Sequence, residues 1–290
     1  MAPVGKDAMV HGIDGISMVS LRVAGGCILF WLASLFVKTE SVPWRDRFKF
    51  IGAAIFGLVC NQCCYTIGLS LTSPINSSIV TTSMPIFSMV LAALILREPV
   101  TTKKVLGVAL GCAGAVMLIL TSAHHGSDKV GDIRGDLLCL GAQFSFALYL
   151  TLFNPLIRRY NVFTINKWMF LWAAIILAPI NAPHLAAVDW QAVSSKAWME
   201  AAYVVVFGTF VGYILTMIGQ RTLRPTVVSV YNYVQPMVSV TVSVLAGIGV
   251  FKWSQAVAVV LVFTGVWFVT KSKSRRDMEK DAEQPSRIDN

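Results

Sequence analysis

Residues 68–85 read GLSLTSPINSSIVTTSMP, and residues 219–236 read GQRTLRPTVVSVYNYVQP. Gly68, Pro74 and Pro85 return as Gly219, Pro225 and Pro236, all on one interval (225 − 74 = 151). The register extends outward without insertion. Gly57 and Gly114 return as Gly208 and Gly265, while Ile67, Ser78, Ser88, Leu94, Val108 and Leu110 match Ile218, Ser229, Ser239, Leu245, Val259 and Leu261. Apolar matches arise easily in a chain that is 56% hydrophobic, but prolines and glycines sharing one interval are much harder to place by chance. The pattern is an internal duplication, and in so apolar a chain it points to a transporter built from two halves.

Working outward, the apolar segments have the length of membrane spans. A helix crosses the hydrocarbon with about 20 residues. By that rule spans fall at roughly 17–37, 50–71, 74–96, 105–122, 136–153, 165–180, 199–220, 226–249 and 254–270. Charged residues make up 13% of the chain, against about 25% in soluble domains. The short connections make successive spans antiparallel neighbours and leave no room for a soluble domain between them.

The net charge of +9 is distributed by alternation. Lys38, Arg45, Arg47 and Lys49, then Arg97, Lys103 and Lys104, then Arg158 and Arg159, then Arg221 and Arg224, then Lys271, Lys273, Arg275 and Arg276 occupy every second connection. The positive-inside rule therefore places those connections and the C-terminus in the cytoplasm, in a multi-pass protein of the cytoplasmic (inner) membrane. A nucleic-acid surface would gather the charges into one patch, so no nucleic-acid partner is expected. The expected partners are the lipid bilayer and a small polar solute; pairing of two copies as a homodimer stays open.

All six cysteines (Cys27, Cys60, Cys63, Cys64, Cys112, Cys139) lie inside spans, so no disulfide framework is implied. Cys60-x-x-Cys63-Cys64 has a metal-like spacing, but no second Cys or His cluster completes four ligands; neither metal nor cofactor is expected. The four histidines (His11, His124, His125, His184) fall in loops. An intramembrane enzyme would need a nucleophile–base pair or metal at depth, so enzymatic activity is not expected either.

Nine spans with a cytoplasmic C-terminus put the start outside, with no positive leader. Asn154-Pro155-Leu156 aligns with Ala2-Pro3-Val4 (155 − 3 = 152), which leaves residues 135–153 without a counterpart. The expectation is a ten-helix protein with most of its first helix missing here, through a misplaced start or in a shortened member. An odd number of helices per half forces the two halves into opposite orientations. The expected fold class is thus an all-α polytopic membrane protein of two inverted five-helix repeats: residues 1–122 (first helix truncated), residues 133–271, and a disordered, charged cytoplasmic tail at 272–290.

On Pro3-x-x-Lys6, Leu21-Arg22, and the stretch containing Leu94-Ile95-Leu96-Arg97-Glu98-Pro99, Gly107 and Gly114, the chain resembles the EamA-like family of the drug/metabolite transporter (DMT) superfamily. The resemblance runs from residue 1 to about 271. It implies a central cavity between the repeats and export of amino acids or small metabolites. One departure is that Glu98 is replaced by Gly249 in the second half.

Within the spans, formal charge is almost absent, and no mid-span carboxylate offers a proton relay. Arg22 is the exception: it is a candidate for binding a substrate carboxylate, against the alternative that it snorkels outward. Polar residues gather around the duplicated prolines. Thr81 leads to Pro85, and Tyr231, Asn232 and Gln235 lead to Pro236. Both prolines are expected to kink their helices and free a backbone carbonyl near mid-membrane. Asn61 and Tyr65, four apart on one helical face, together with Tyr149 and Tyr213, complete the expected cavity lining. Asn61 and its neighbour Gln62 diverge by about 100°, so only Asn61 is assigned to the lining. Gly107-x-x-x-Gly111 and Gly208-x-x-x-Gly212 are expected to permit close helix packing.

The reading is a transporter, in the export direction, of small polar metabolites such as amino acids, working by alternating access. Its rivals are a non-transporting membrane sensor or assembly protein and a truncated, inactive family member.

Overall fold

The computed structural model describes residues 8, 11–37, 40–72, 74–122, 133–234, 238 and 253–273, and every element among them is a helix. Gln235, Pro236, His124, His125, most of the expected span at 226–249 and the tail from 274 lie outside the described residues. In chain order the helices are α1 (Gly15–Phe36), α2 (Trp44–Leu71), α3 (Pro74–Thr81), α4 (Met84–Ile95), α5 (Thr102–Ser122), α6 (Ile133–Leu152), α7 (Asn154–Arg159), α8 (Val162–Ala187), α9 (Ser195–Thr222), α10 (Pro225–Val230, followed by a 3-10 turn at Tyr231–Tyr233) and α11 (Trp253–Thr270). Among the described residues α1, α2, α6, α8 and α9 are long and apolar enough to cross a membrane, and Ile79–Ile95 and Ala256–Thr270 are shorter apolar stretches.

Local chemistry sets the helix starts. The Asp14 carboxylate accepts from the Ile16 N–H at 3.1 Å, the Asn161 side chain from Phe163 N–H at 3.1 Å, and the Ser194 hydroxyl from Ala197 N–H at 3.2 Å. Each satisfies a first-turn donor that the helix leaves unpaired. Helix α2 begins six residues before the expected apolar span, because the charged turns at 45–49 stay helical beyond the apolar stretch. Helix α8 likewise runs on through Pro179 and Pro183.

Two backbone irregularities recur on or close to the interval of the duplication. Residues Ile55–Cys60 in α2 and Val204–Val211 in α9 are π-helical, and 151 residues on from 55–60 lies 206–211. The second irregularity is a break. The span anticipated at 74–96 is two helices, interrupted at Thr82 and Ser83. The Ser83 carbonyl accepts from Ile86 and Phe87 N–H, and Pro85, which has no N–H to donate, sits at the second position of α4. A proline is tolerated there. The 3-10 turn at Tyr231–Tyr233 follows α10 and overlaps the counterpart of that break at Tyr233 (233 − 82 = 151).

The helices form two compact units, each drawing on both halves of the sequence. The first holds α1–α3 and α6–α9. Here α2 and α6 pack backbone to backbone: a Cβ on Gly68 would lie 2.8 Å from the Gly135 carbonyl oxygen, and one on Gly135 would lie 2.8 Å from that of Gly68. Along the same seam Asn61 donates to Ala142 O (3.0 Å), Ser145 to Phe56 O (2.8 Å) and Thr72 to Asp136 Oδ1 (2.6 Å). At the start of α2, the buried Asp46 accepts from Tyr160 OH (2.6 Å), Arg159 (3.1 Å) and Lys49 (2.8 Å). Burial and the carboxylate beside it push the Tyr160 phenol above its ordinary pKa, so it remains the donor.

The second unit holds α4, α5, α10 and α11. Helices α5 and α11 meet through glycines. A Cβ on Gly107 would fall 2.7 Å from Gly265 O, and one on Gly114 would fall 2.7 Å from Ala258 O. On the duplication's interval Gly107 corresponds to Ala258 and Gly114 to Gly265 (258 − 107 = 151). Each contact therefore pairs one position with the counterpart of the other. Only antiparallel helices exchange positions in this way, and the exchange is what a two-fold axis between them would leave.

Candidate functional site

The first unit holds a half-buried cation, Arg22, that has no carboxylate partner among the described residues. Arg22 stands seven residues into α1, about 10 Å along it. Its Nε donates to Thr209 Oγ1 at 3.0 Å. Thr209 lies 14 residues into the 28-residue α9 (209 − 195 = 14), near that helix's middle. The guanidinium is therefore held toward the middle of the helices, against the snorkelling expected of an arginine near a helix end. Thr209 is fully buried, and its hydroxyl donates in turn to Val204 O (3.3 Å), five residues back, the spacing of the π-helical stretch. Among the described residues no carboxylate is paired with Arg22.

Two phenols, Tyr213 and Tyr65, lie near enough to interact electrostatically with the guanidinium. Tyr213 OH donates to Gly57 O at 2.9 Å, the carbonyl lying in the π-helical stretch of α2, and accepts from Gln62 Nε2 at 3.4 Å. The Ser77 hydroxyl donates to Tyr65 OH at 3.5 Å, which leaves the phenolic proton of Tyr65 available. Gln62 is 1% exposed, and its Oε1 has no hydrogen-bond partner. The apolar wall is aromatic: the Phe170 ring packs edge-on to Tyr213 with centroids 5.2 Å apart, and it fits over Gly26, one turn beyond Arg22. The arrangement offers a fixed cation, a free phenolic donor and a buried amide acceptor inside otherwise apolar helices.

The residues expected to line a cavity separate into several groups. Tyr65 and Tyr213 lie within electrostatic range of Arg22. Asn61 instead ties α2 to the α6 backbone through Ala142 O. Tyr149 is fully buried, with its hydroxyl 3.2 Å from the sulfurs of both Met169 and Met217. Thr81 returns its hydroxyl to Ser77 O within α3 (2.8 Å). In the second unit Asn232 Nδ2 lies 2.8 Å from Met84 Sδ, and Tyr231 is exposed. Tyr233 fills the space left by Gly111 and donates to Thr82 O (3.2 Å), a carbonyl at the break before α4.

Two members of the Arg22 cluster, Gln62 and Thr209, escaped the reading of the sequence. A signal for Gln62 existed, because it is the duplication counterpart of its own partner Tyr213 (213 − 62 = 151). Thr209 carried none, because its position depends on the π-helical register.

Taken together, the long apolar helices and the polar, cation-bearing interior define a multi-pass membrane protein. The chain belongs to the EamA-like transporter family of the DMT superfamily, whose family model matches residues 1–120 and 133–271. It is a transporter and not an enzyme. It is 24% identical over 223 residues to the uncharacterized transporter YyaM of Bacillus subtilis, covering 77% of this chain and 72% of that one. An uncharacterized transporter of Archaeoglobus fulgidus is 26% identical over 207 residues, 71% of this chain and 70% of that protein. A protein of known crystal structure shares the fold, with a TM-score of 0.72 over 92% of this chain and 91% of its own, at 19% identity.

Proposed function

We propose that the protein exports small polar metabolites, amino acids among them, across the cytoplasmic membrane by rocking two inverted five-helix repeats, residues 1–122 and 133–271, past one another. The observation that carries this reading is the polar cluster of Arg22, Gln62, Tyr65, Thr209 and Tyr213 within apolar helices, since intramembrane polar groups of this kind mark solute pathways. The reciprocal glycine contacts of α5 and α11 support the inverted arrangement, and the recurring π-helical stretches and helix breaks support a common backbone plan. The alternation of positive charge supports a cytoplasmic C-terminus. In the second unit, Asn232 and Tyr231 are the side chains assigned to the solute path beside the helix break.

Purified protein in proteoliposomes loaded with a defined mixture of amino acids and small organic acids tests the reading, with efflux followed by mass spectrometry. Efflux of a subset above that of empty vesicles is expected, with loss in Asn232→Ala and Tyr213→Phe variants that remain monodisperse. Efflux indistinguishable from empty vesicles for every solute would overturn it.

A further inference from the structure

We infer that the solute must carry a carboxylate, and that Arg22 takes it end-on through its two terminal nitrogens with Tyr65 as a second donor. The inference rests on the transport reading above and narrows it.

Three observations carry it. First, Arg22 is cationic at every accessible pH, and among the described residues no Asp or Glu neutralises it. A charge at such depth persists where a partner arrives, and here the partner is the solute. Second, the guanidinium is oriented. Thr209 occupies Nε and, being buried and bonded to Val204 O, fixes the plane. The edge formed by Nη1 and Nη2 is left over, and that edge matches a planar two-oxygen anion in a bidentate pair. Third, the phenols divide their roles. Tyr213 has committed its proton to Gly57 O, whereas Tyr65 accepts from Ser77 and keeps its own proton to give. The buried, unpartnered Oε1 of Gln62 adds an acceptor to a site otherwise made of donors, which suits the ammonium of an amino acid.

The alternative, that Arg22 is a structural tie between α1 and α9, predicts a protein indifferent to the charge of its cargo. The two are separated by paired solute mixtures. Proteoliposomes of the full chain are loaded with the twenty common amino acids, or with the corresponding amino-acid amides, which keep the body and lose the carboxylate. Efflux of the acids by the wild type, with the amides slower by at least about ten-fold, is expected for one lost charge-assisted pair. Arg22→Gln should lose the acid efflux and bring acids and amides level. Tyr65→Phe should raise the KM for the acids by roughly three- to ten-fold with the maximal rate held, reflecting one hydrogen bond. Because Arg22→Gln also frees Thr209, its melting temperature and gel-filtration profile are compared with those of Thr209→Val, which removes the tie and keeps the charge. Thr209→Val should slow acid efflux, because the guanidinium loses its orientation, yet still move acids faster than amides, because the charge stays; loss of that preference in a folded Thr209→Val variant would overturn the inference. Amides moving as fast as acids would overturn the carboxylate requirement while leaving transport intact. No efflux of either mixture would overturn both readings.

Discussion

The two halves of the chain agree in backbone and disagree in charge. Both have a π-helical stretch in the helix before the proline-bearing span, both depart from α-helix in that span at overlapping positions, and both supply a glycine to the seam between α5 and α11. Their side chains diverge. Gln62 in one half answers to Tyr213 in the other, and Arg22 answers to an alanine, Ala173 or Ala174, whichever of the intervals 151 and 152 is used. Glu98 and Lys104, an ion pair at 2.9 Å with the lysine 1% exposed, answer to Gly249 and Gln255. Shared geometry suits a movement common to both halves, while an unshared cation suits recognition of one solute. On the proposed function, duplication would supply the mechanics and divergence of a few side chains the selectivity.

The glycine seam gives the largest way to break this comparison. Gly265→Leu drives a side chain into the backbone of Gly107 and Gly111, which has no rotamer to yield. A loss of about 3 kcal/mol or more is expected, at or beyond the upper end for overpacking, read as loss of monodisperse protein or a steep fall in melting temperature. Gly107→Leu should be as severe because the contact is reciprocal. Gly141→Leu, where nothing lies within 4 Å, should stay within about 0.5 kcal/mol of wild type.

The unshared ion pair comes next. Lys104→Gln leaves the Glu98 carboxylate partly buried beside Pro99 O without its cation, and a cost of about 3 kcal/mol is expected for breaking such a pair from one side. Adding Glu98→Gly recreates the residues of the second half and should restore most of the melting temperature. Failure of the double variant to recover would mean that the pair does more than neutralise itself.

The smallest effect concerns the counterparts Gln62 and Tyr213. Tyr213→Phe removes a 2.9 Å bond to Gly57 O, at a cost of about 1 kcal/mol. Gln62→Leu removes a 3.4 Å bond together with an unpartnered Oε1, and these effects oppose one another, so its melting temperature should hardly move. Equal destabilisation by both variants would erase the asymmetry claimed for the pair.

Much of the fold was legible because a membrane allows few solutions. Apolar length located α1, α6, α9 and α11 closely, and the prolines and glycines at 68–85 and 219–236 marked the duplication. The misjudged ends have a simple cause: a length rule counts apolar residues, but α2 continues as helix through Arg45, Arg47 and Lys49. The π-helical stretches were invisible, since Ile55–Cys60 and Val204–Val211 differ from ordinary apolar helix only in hydrogen-bond spacing. Asn61 and Gln62 both follow the π-helical stretch in regular helix and point to different neighbours, Asn61 to α6 and Gln62 to Tyr213. Arg22 was legible as an anomaly of charge, but its orientation depended on Thr209, which no pattern in the sequence marked.

The opposed orientation of the two halves has one direct test. Leu71 and Thr222 are duplication counterparts (222 − 71 = 151), both exposed at the ends of their helices. In a background with the six native cysteines replaced, Leu71→Cys and Thr222→Cys are each treated on intact cells with a membrane-impermeant maleimide. Labelling of position 71 from outside, with position 222 labelled only after the membrane is opened, is the expected result. Labelling of both from the same side would contradict the account.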